Sequence, residues 1–260
     1  MTDGGSYTLP HDLPGESERL TLMSEMLDPQ LFFRLGQIGV TAGWRCLEVG
    51  AGNGSVSAWL SGQVGVEGSV LTSDIDIDLL NQIDLPNVTV RRIDVTRDDL
   101  GSGYDLVLAR ALLHHLPERA AVLERLATAV RPGGWIVLEE PDFHPVLATD
   151  SPTLREFWEG WLVWSDRHEI DYFIGRKIPG MLVAHGLSEV RSYGETILYR
   201  GGSLTARYLE ATMRELEGSL RGSGFIADSV WTDAMSLFRN DAFWSWQNSY
   251  VTSIGRKPVA

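Results

Sequence analysis

The feature that most constrains this chain is a rhythm across residues 44–141. Short apolar runs, "WRCLEV", "GSVLTSDI", "NVTVRRID", "YDLVLAR" and "GGWIVLEEP", alternate with helix-like stretches, "SVSAWLSGQV", "DIDLLNQI" and residues 117–130. Runs of this length, bounded by Gly, Pro and Asp, read as buried strands. Between the first two, Val56 and Leu60 share one side of a helix. Strand–helix alternation at this pitch predicts an α/β fold, a doubly wound parallel sheet with helices on both faces.

The flanks read differently. Residues 1–17 carry Gly, Ser, Pro and acids without a period and predict a flexible arm. Leu20, Met23 and Leu27 predict one helix over 17–27, and Pro29 opens a second over 28–36. Beyond Pro141 the rhythm stops. Phe157, Trp161 and Trp164 fall at i, i+4 and i+7, beside Trp158, as one helical stripe. Further helices are expected to end at Gly186 and to cover 203–224 and 227–238, with single strands over 188–201 and 243–258.

Charge and cysteine content narrow the function. The chain has 22 Lys+Arg against 35 Asp+Glu, a net charge of −13. Such a surface repels nucleic acid and anionic membrane, so a small-molecule partner is expected, with neither of those. A homodimer is one assembly the sequence allows. The single Cys46 leaves no intrachain disulfide or cysteine-cluster metal site, and no metal is expected. With no secretory apolar core near the start, a cytoplasmic location is expected.

The loop "GAGNG" between the first strand and its helix sets Gly50, Gly52 and Gly54 at strict alternation. Glycines there let a ligand approach the backbone, at the carboxyl edge where doubly wound sheets bind ligands. The spacing departs from the dinucleotide pattern, with Ser55 at its sixth position, and no lysine supports a phosphate loop. Glu48, an acid inside an apolar strand, calls for donors or a cation and would repel phosphate. Asp74 ends the second strand, where a carboxylate can accept two ribose hydroxyls. Asp94 ends the third, where it can accept from an adenine amine beside the Val95 amide.

Together "LEVGAGNGS", "TSDID", "RRIDV", "YDLVLARALLHHLPE" and "LATAVRPGGWIVLEEPDF" resemble the class I S-adenosylmethionine-dependent methyltransferases, in their UbiE-like, small-molecule branch. The resemblance covers about residues 40–142. It implies a Rossmann-like sheet of seven strands, the last antiparallel, with helical lid insertions. It implies S-adenosyl-L-methionine as cofactor and S-adenosyl-L-homocysteine as product. Glu48, Gly50, Ala51, Gly52 and Gly54 would face the methionine part, Asp74 and Ile75 the ribose, Asp94 and Val95 the adenine. Arg110 and Ala111 would line the cofactor from the fourth strand.

For the acceptor side, His114 and His115 follow the fourth strand, and helical geometry allows at most one of them to face the cleft. Glu140 and His144, at the end of the fifth strand, are further candidates for proton transfer. Phe157, Trp161, Trp164 and His168 are expected to wall an acceptor pocket. The expected organisation is a covering segment over 1–39 and a cofactor-binding domain over 40–260, with lid insertions at about 144–180 and 203–242. The function expected is methyl transfer to oxygen, nitrogen or carbon of a small, largely apolar or aromatic metabolite, in natural-product biosynthesis. Alternatives are a non-methylating cyclisation or rearrangement on the same fold, a protein methyltransferase, and a non-catalytic sensor.

Overall fold

The computed structural model describes residues 15–259, so the arm expected at 1–17 falls almost wholly outside the described residues. The strands are β1 (Arg45–Val49), β2 (Ser69–Asp74), β3 (Val88–Arg92), β4 (Tyr104–Arg110), β5 (Val130–Asp142), β6 (Ser188–Glu195), β7 (Leu198–Arg200), β8 (Trp244–Trp246) and β9 (Ser249–Arg256). The helices are α1 (Glu16–Gln37), α2 (Ser55–Val64), α3 (Arg119–Ala129), α4 (Pro152–Arg167), α5 (Ile178–Ala184), α6 (Leu204–Gly222) and α7 (Asp228–Arg239).

Seven strands form one sheet in the order β3-β2-β1-β4-β5-β9-β6, with β9 antiparallel to both of its neighbours. This is the doubly wound sheet that the alternation predicted. Strand order reverses between β1 and β4, which pair in parallel with Leu47 opposite Val107. The crevice of such a sheet opens at the carboxyl ends of those two strands. Below it the core is apolar: Leu47, Leu106, Val107, Leu108, Ile136 and Val137 are fully buried.

Three expectations are corrected. The two helices predicted over 17–36 are one, α1, with Pro29 inside it. A proline in a helix interior costs roughly 3 kcal/mol. The stripe Leu20, Met23, Leu27, Leu31, Leu35 continues in phase across it, and Leu31 and Leu35 are completely buried. Burying those two leucines contributes about 3–6 kcal/mol, which outweighs the break. The helix expected over 76–83 is a single 3-10 turn at Leu80–Gln82. Asp74 and Asp76 take the amides of Ile75, Asp76 and Asp78, and these local bonds compete with a helix. The strands expected over 188–201 and 243–258 each split in two. Thr196 meets Ser249 at the break, and β7 pairs with β8 as a separate ribbon.

Across the carboxyl edge lies a helical layer with its own apolar cluster. It joins Leu20 and Met23 of α1, Phe157, Trp158, Trp161 and Trp164 of α4, Leu209 and Met213 of α6, and Trp231 and Phe238 of α7. Among the described residues no helix is long and apolar enough to cross a membrane.

Candidate active site

Between the sheet edge and this layer is a cavity of about 320 Å³. One end is the glycine loop. Gly50, Gly52 and Gly54 have φ of +70°, +57° and +76°, a conformation that a side chain would strain. A Cβ on Gly50 would stand 3.1 Å from Leu112 and one on Gly52 3.3 Å from Leu20. Gly50 and Ala51 donate their amides to the Ser73 carbonyl, so the loop is tied to β2.

Asp74 completes this tie. Its Oδ2 accepts from Gly52 N at 2.9 Å and its Oδ1 from Ile75 N at 2.7 Å, which clamps the β1 and β2 loops together. Glu48 is buried beneath the loop, where Ser57 donates to it, and Thr72 in turn donates to Ser57 at 2.5 Å. Burial pushes the Glu48 carboxyl up to about 7 against the pull of Ser57 and Arg110. Asp94 accepts from the Thr96 amide and hydroxyl and from Arg97 Nε at 2.6 Å. Burial would raise its carboxyl, but these bonds hold it below the usual range. Glu48, Gly50, Ala51, Gly52, Asp74, Ile75, Asp94, Val95, Arg110 and Ala111 all border the cavity. Gly54 does not. It packs under the loop, where a Cβ would meet Ile83 at 2.5 Å.

Arg110 has a second task. Its Nη1 donates to Asp28 of α1 at 2.6 Å and its Nη2 to Ser55 at 3.2 Å. Set among Glu139, Asp28 and Glu48, it is the shared counter-ion of a buried acidic floor, and it holds α1 down over the loop. Ser24 of α1 adds a bond to Asn53.

At the other end of the cavity are His114, His115, Phe143, Trp161, Tyr172, Tyr208, Asn248 and Tyr250. Both histidines border it, contrary to the helical expectation. They lie on a 3-10 turn, Leu113–His115, with ring centroids 3.8 Å apart. Glu140 is not at the cavity. It is completely buried behind that turn, where Oε1 accepts from the amides of Leu112 and Leu113 and Oε2 lies 2.9 Å from His114 Nδ1. Burial lowers His114 to about 3 and raises Glu140 to about 7. The His114 ring is therefore neutral, with Nδ1 turned to Glu140 and Nε2 left as the nitrogen that can accept a hydrogen bond.

His144 and His168 are exposed and do not border the cavity; His168 caps α4 through the Trp164 carbonyl at 2.8 Å. Phe157 and Trp164 are core. Phe157 packs edge-on against Trp158 and Phe238, and Trp164 donates to Ser219 of α6 at 3.1 Å. Of the aromatic stripe only Trp161 borders the cavity. The tyrosines, Arg19 and Asn248 carried no motif. Tyr208 and Tyr250 meet through their hydroxyls at 2.9 Å although 42 residues separate them. Cys46 is buried and its thiol is pushed up to about 12 by burial, which makes it inert.

A family model described as a methyltransferase domain matches residues 17–191, more than half of the chain. The chain belongs to the class I S-adenosylmethionine-dependent methyltransferases. Methyltransferase str3 of Strobilurus tenacellus is 28% identical over 187 residues, which cover 67% of this chain and 64% of that one. The ubiquinone biosynthesis O-methyltransferase of Burkholderia ambifaria is 30% identical over 147 residues, covering 49% and 61%. The chain thus spans less than two thirds of the length of these relatives. In fold it is similar to phosphoethanolamine N-methyltransferase 2 of Haemonchus contortus, solved with S-adenosylhomocysteine, at a TM-score of 0.53 and 14% identity, covering 93% of this chain and 52% of that one.

The family's cofactor is S-adenosyl-L-methionine, and the residues present fit it. The glycine loop leaves room that side chains would fill, two carboxylates, Asp74 and Asp94, flank the apolar Ile75, Ile93 and Val95, and the buried acids of the floor suit a cationic sulfur.

Proposed function

We propose that this chain transfers the methyl group of S-adenosylmethionine to a small, largely apolar or aromatic metabolite. One observation carries the reading: a single cavity reaches from the glycine loop, Asp74 and Asp94 to His114, Tyr172, Tyr208 and Tyr250. Cofactor and acceptor can therefore meet in one covered space. The relative named for O-methylation in ubiquinone biosynthesis supports a small acceptor.

In this reading the loop backbone and Glu48 hold the methionine part, Asp74 and Ile75 the ribose, and Asp94 and Val95 the adenine. The bound cofactor supplies an electrophilic methyl on a positively charged sulfur. The chain supplies position, since alignment at near-attack distance is the main demand of such a displacement. Tyr172, Phe143 and Trp161 offer flat apolar walls. His114, oriented by Glu140, accepts a hydrogen bond through Nε2 from an acceptor hydroxyl or amine and so aims its lone pair at the methyl, and the proton leaves with the product to solvent. Segments 144–180 and 203–242 act as the lid and α1 as the cover, which exclude water.

The test is direct. Calorimetry should show binding of S-adenosylmethionine and S-adenosylhomocysteine, and radiolabelled methyl should pass to aromatic acceptors with release of S-adenosylhomocysteine. Absence of adenosyl-ligand binding refutes the reading. Turnover that leaves S-adenosylmethionine intact would select the non-methylating alternative.

A further inference from the structure

We propose that the acceptor carries an uncharged carbonyl group, whose oxygen is bound by the Tyr208–Tyr250 hydroxyl pair together with Asn248. The inference rests on the methyl-transfer reading of the cavity and names what that cavity selects. Tyr208 of α6 and Tyr250 of β9 both border the cavity, are 7% and 9% exposed, and meet through their hydroxyls at 2.9 Å. Two hydroxyls carry two protons, and the bond between them uses one. Among the described residues nothing accepts the other. Burial pushes the Tyr250 phenol well above its ordinary value, so this hydroxyl keeps its proton. A buried O–H without an acceptor costs free energy that a ligand oxygen in the cavity would recover.

Asn248 stands two residues before Tyr250, where the chain enters β9, and borders the cavity as well. Residues two apart on an extended chain lie on one face. Asn248 is 2% exposed, and its Nδ2 donates to the Ser249 carbonyl at 3.3 Å. Its second N–H and its Oδ1 have no partner among the described residues. One O–H and one N–H thus match the two lone pairs of a carbonyl oxygen. Charged groups fit less well. The three arginines on the cavity wall are each held by an acid, Arg19 by Glu16, Arg97 by Asp94 and Arg110 by Asp28. A carboxylate would give up its hydration to cations already paired, and an ammonium has no lone pair to receive the spare protons. The wall of Phe143, Trp161 and Tyr172, with ring centroids 4.2 to 6.3 Å apart, suits a flat ring that bears the carbonyl.

Three probes share one phenol ring and differ in its substituent: 4-hydroxyacetophenone, 4-ethylphenol and 4-hydroxybenzoate. They are titrated calorimetrically into protein saturated with S-adenosylhomocysteine. The ketone should bind about tenfold tighter than 4-ethylphenol, and the anion weakest of the three. In the double variant Tyr208→Phe/Tyr250→Phe the gap between ketone and 4-ethylphenol should shrink below about threefold, with S-adenosylhomocysteine affinity unchanged. Both hydroxyls leave together, so neither is stranded and the protein should melt as before. Asn248→Leu should narrow the same gap at least about twofold. The inference is overturned if 4-ethylphenol or the anion binds as tightly as the ketone, or if none of the three binds. It is also overturned if either variant keeps the full gap, or weakens S-adenosylhomocysteine instead, which would give these groups to the cofactor. Should a variant not fold, the order of the three probes on the unaltered protein decides alone. Failure of the protein to bind S-adenosylhomocysteine would sink the methyl-transfer reading, and the order measured without it would still decide this one.

Discussion

Replacing Glu140 by Gln separates positioning from packing at the acceptor end. The side chain accepts four hydrogen bonds, from the amides of Leu112, Leu113 and His114 and from the His114 ring. Glutamine has the same shape and keeps one oxygen, so the Leu112 and Leu113 bonds survive. Its amide nitrogen then faces two donors, His114 N and Nδ1–H, and one of them is left unpaired at a cost of about 1–3 kcal/mol. The ring escapes that clash by moving its proton to Nε2, which removes the lone pair that would hold the acceptor's hydroxyl or amine. At pH 8, above its value of about 7, Glu140 in the unaltered protein is ionised and can only accept, so the contrast is sharpest there. Misplacing a reacting group by about 1 Å can cost about 10²-fold in rate. Glu140→Gln should therefore lower kcat by about 100-fold and leave S-adenosylhomocysteine affinity within about twofold, since Glu140 does not border the cavity. The assays are methyl-transfer kinetics at pH 8, calorimetry and a melting curve. A kcat within threefold of the original, in a protein that still melts cooperatively, refutes the role given to the His114–Glu140 pair.

Gly54→Ala should destabilise the fold by about 1–3 kcal/mol and weaken S-adenosylhomocysteine binding, because its Cβ would stand 2.5 Å from Ile83 at a φ of +76°; denaturant unfolding and calorimetry measure both, and an unchanged midpoint would contradict it. Trp164→Phe should cost about 1 kcal/mol through the lost bond to Ser219 and leave kcat/KM alone, whereas a specific loss of acceptor affinity would return Trp164 to the pocket. Thermal stability should fall as pH rises from 5 to 8. Glu48, Glu139 and Glu140 are raised by burial to about 7, so their contribution is present below their unfolded values near 4.5 and lost as pH climbs through 7. His114, lowered to about 3, acts in the opposite sense below 6.5, but it is one group against three. A melting temperature that is flat, or higher at pH 8, would show that these acids are not buried as described.

The cofactor half of this molecule was legible because its determinants are local. A strand, a glycine loop and a helix occupy 20 consecutive residues, Arg45–Val64, and the backbone conformation demanded of Gly50 and Gly52 can be met by few other residues. The sheet followed from the same local rhythm. Pro29 misled because a propensity of about 3 kcal/mol was read without the leucines beyond it. Asp74 and Asp94 were placed at the cavity's edge, but not the bond from Gly52 N to Asp74, which depends on how two loops meet.

The acceptor half was hard to read for the converse reason. His114 is oriented by Glu140, 26 residues away, Tyr208 meets Tyr250 across 42, and Arg19 reaches a glutamate on α6. None of these pairs leaves a spacing in the sequence, since each is created by which helix covers which strand end. The aromatic stripe on α4 shows the consequence. Its period correctly announced a buried helix face, yet only the packing of α6 and α7 decides that Phe157 and Trp164 face the core and Trp161 the cavity. A buried face with a hole in it and one without have the same periodicity. The contacts that shape this end of the cavity therefore lie between separate elements and can change without disturbing either the glycine loop or the sheet.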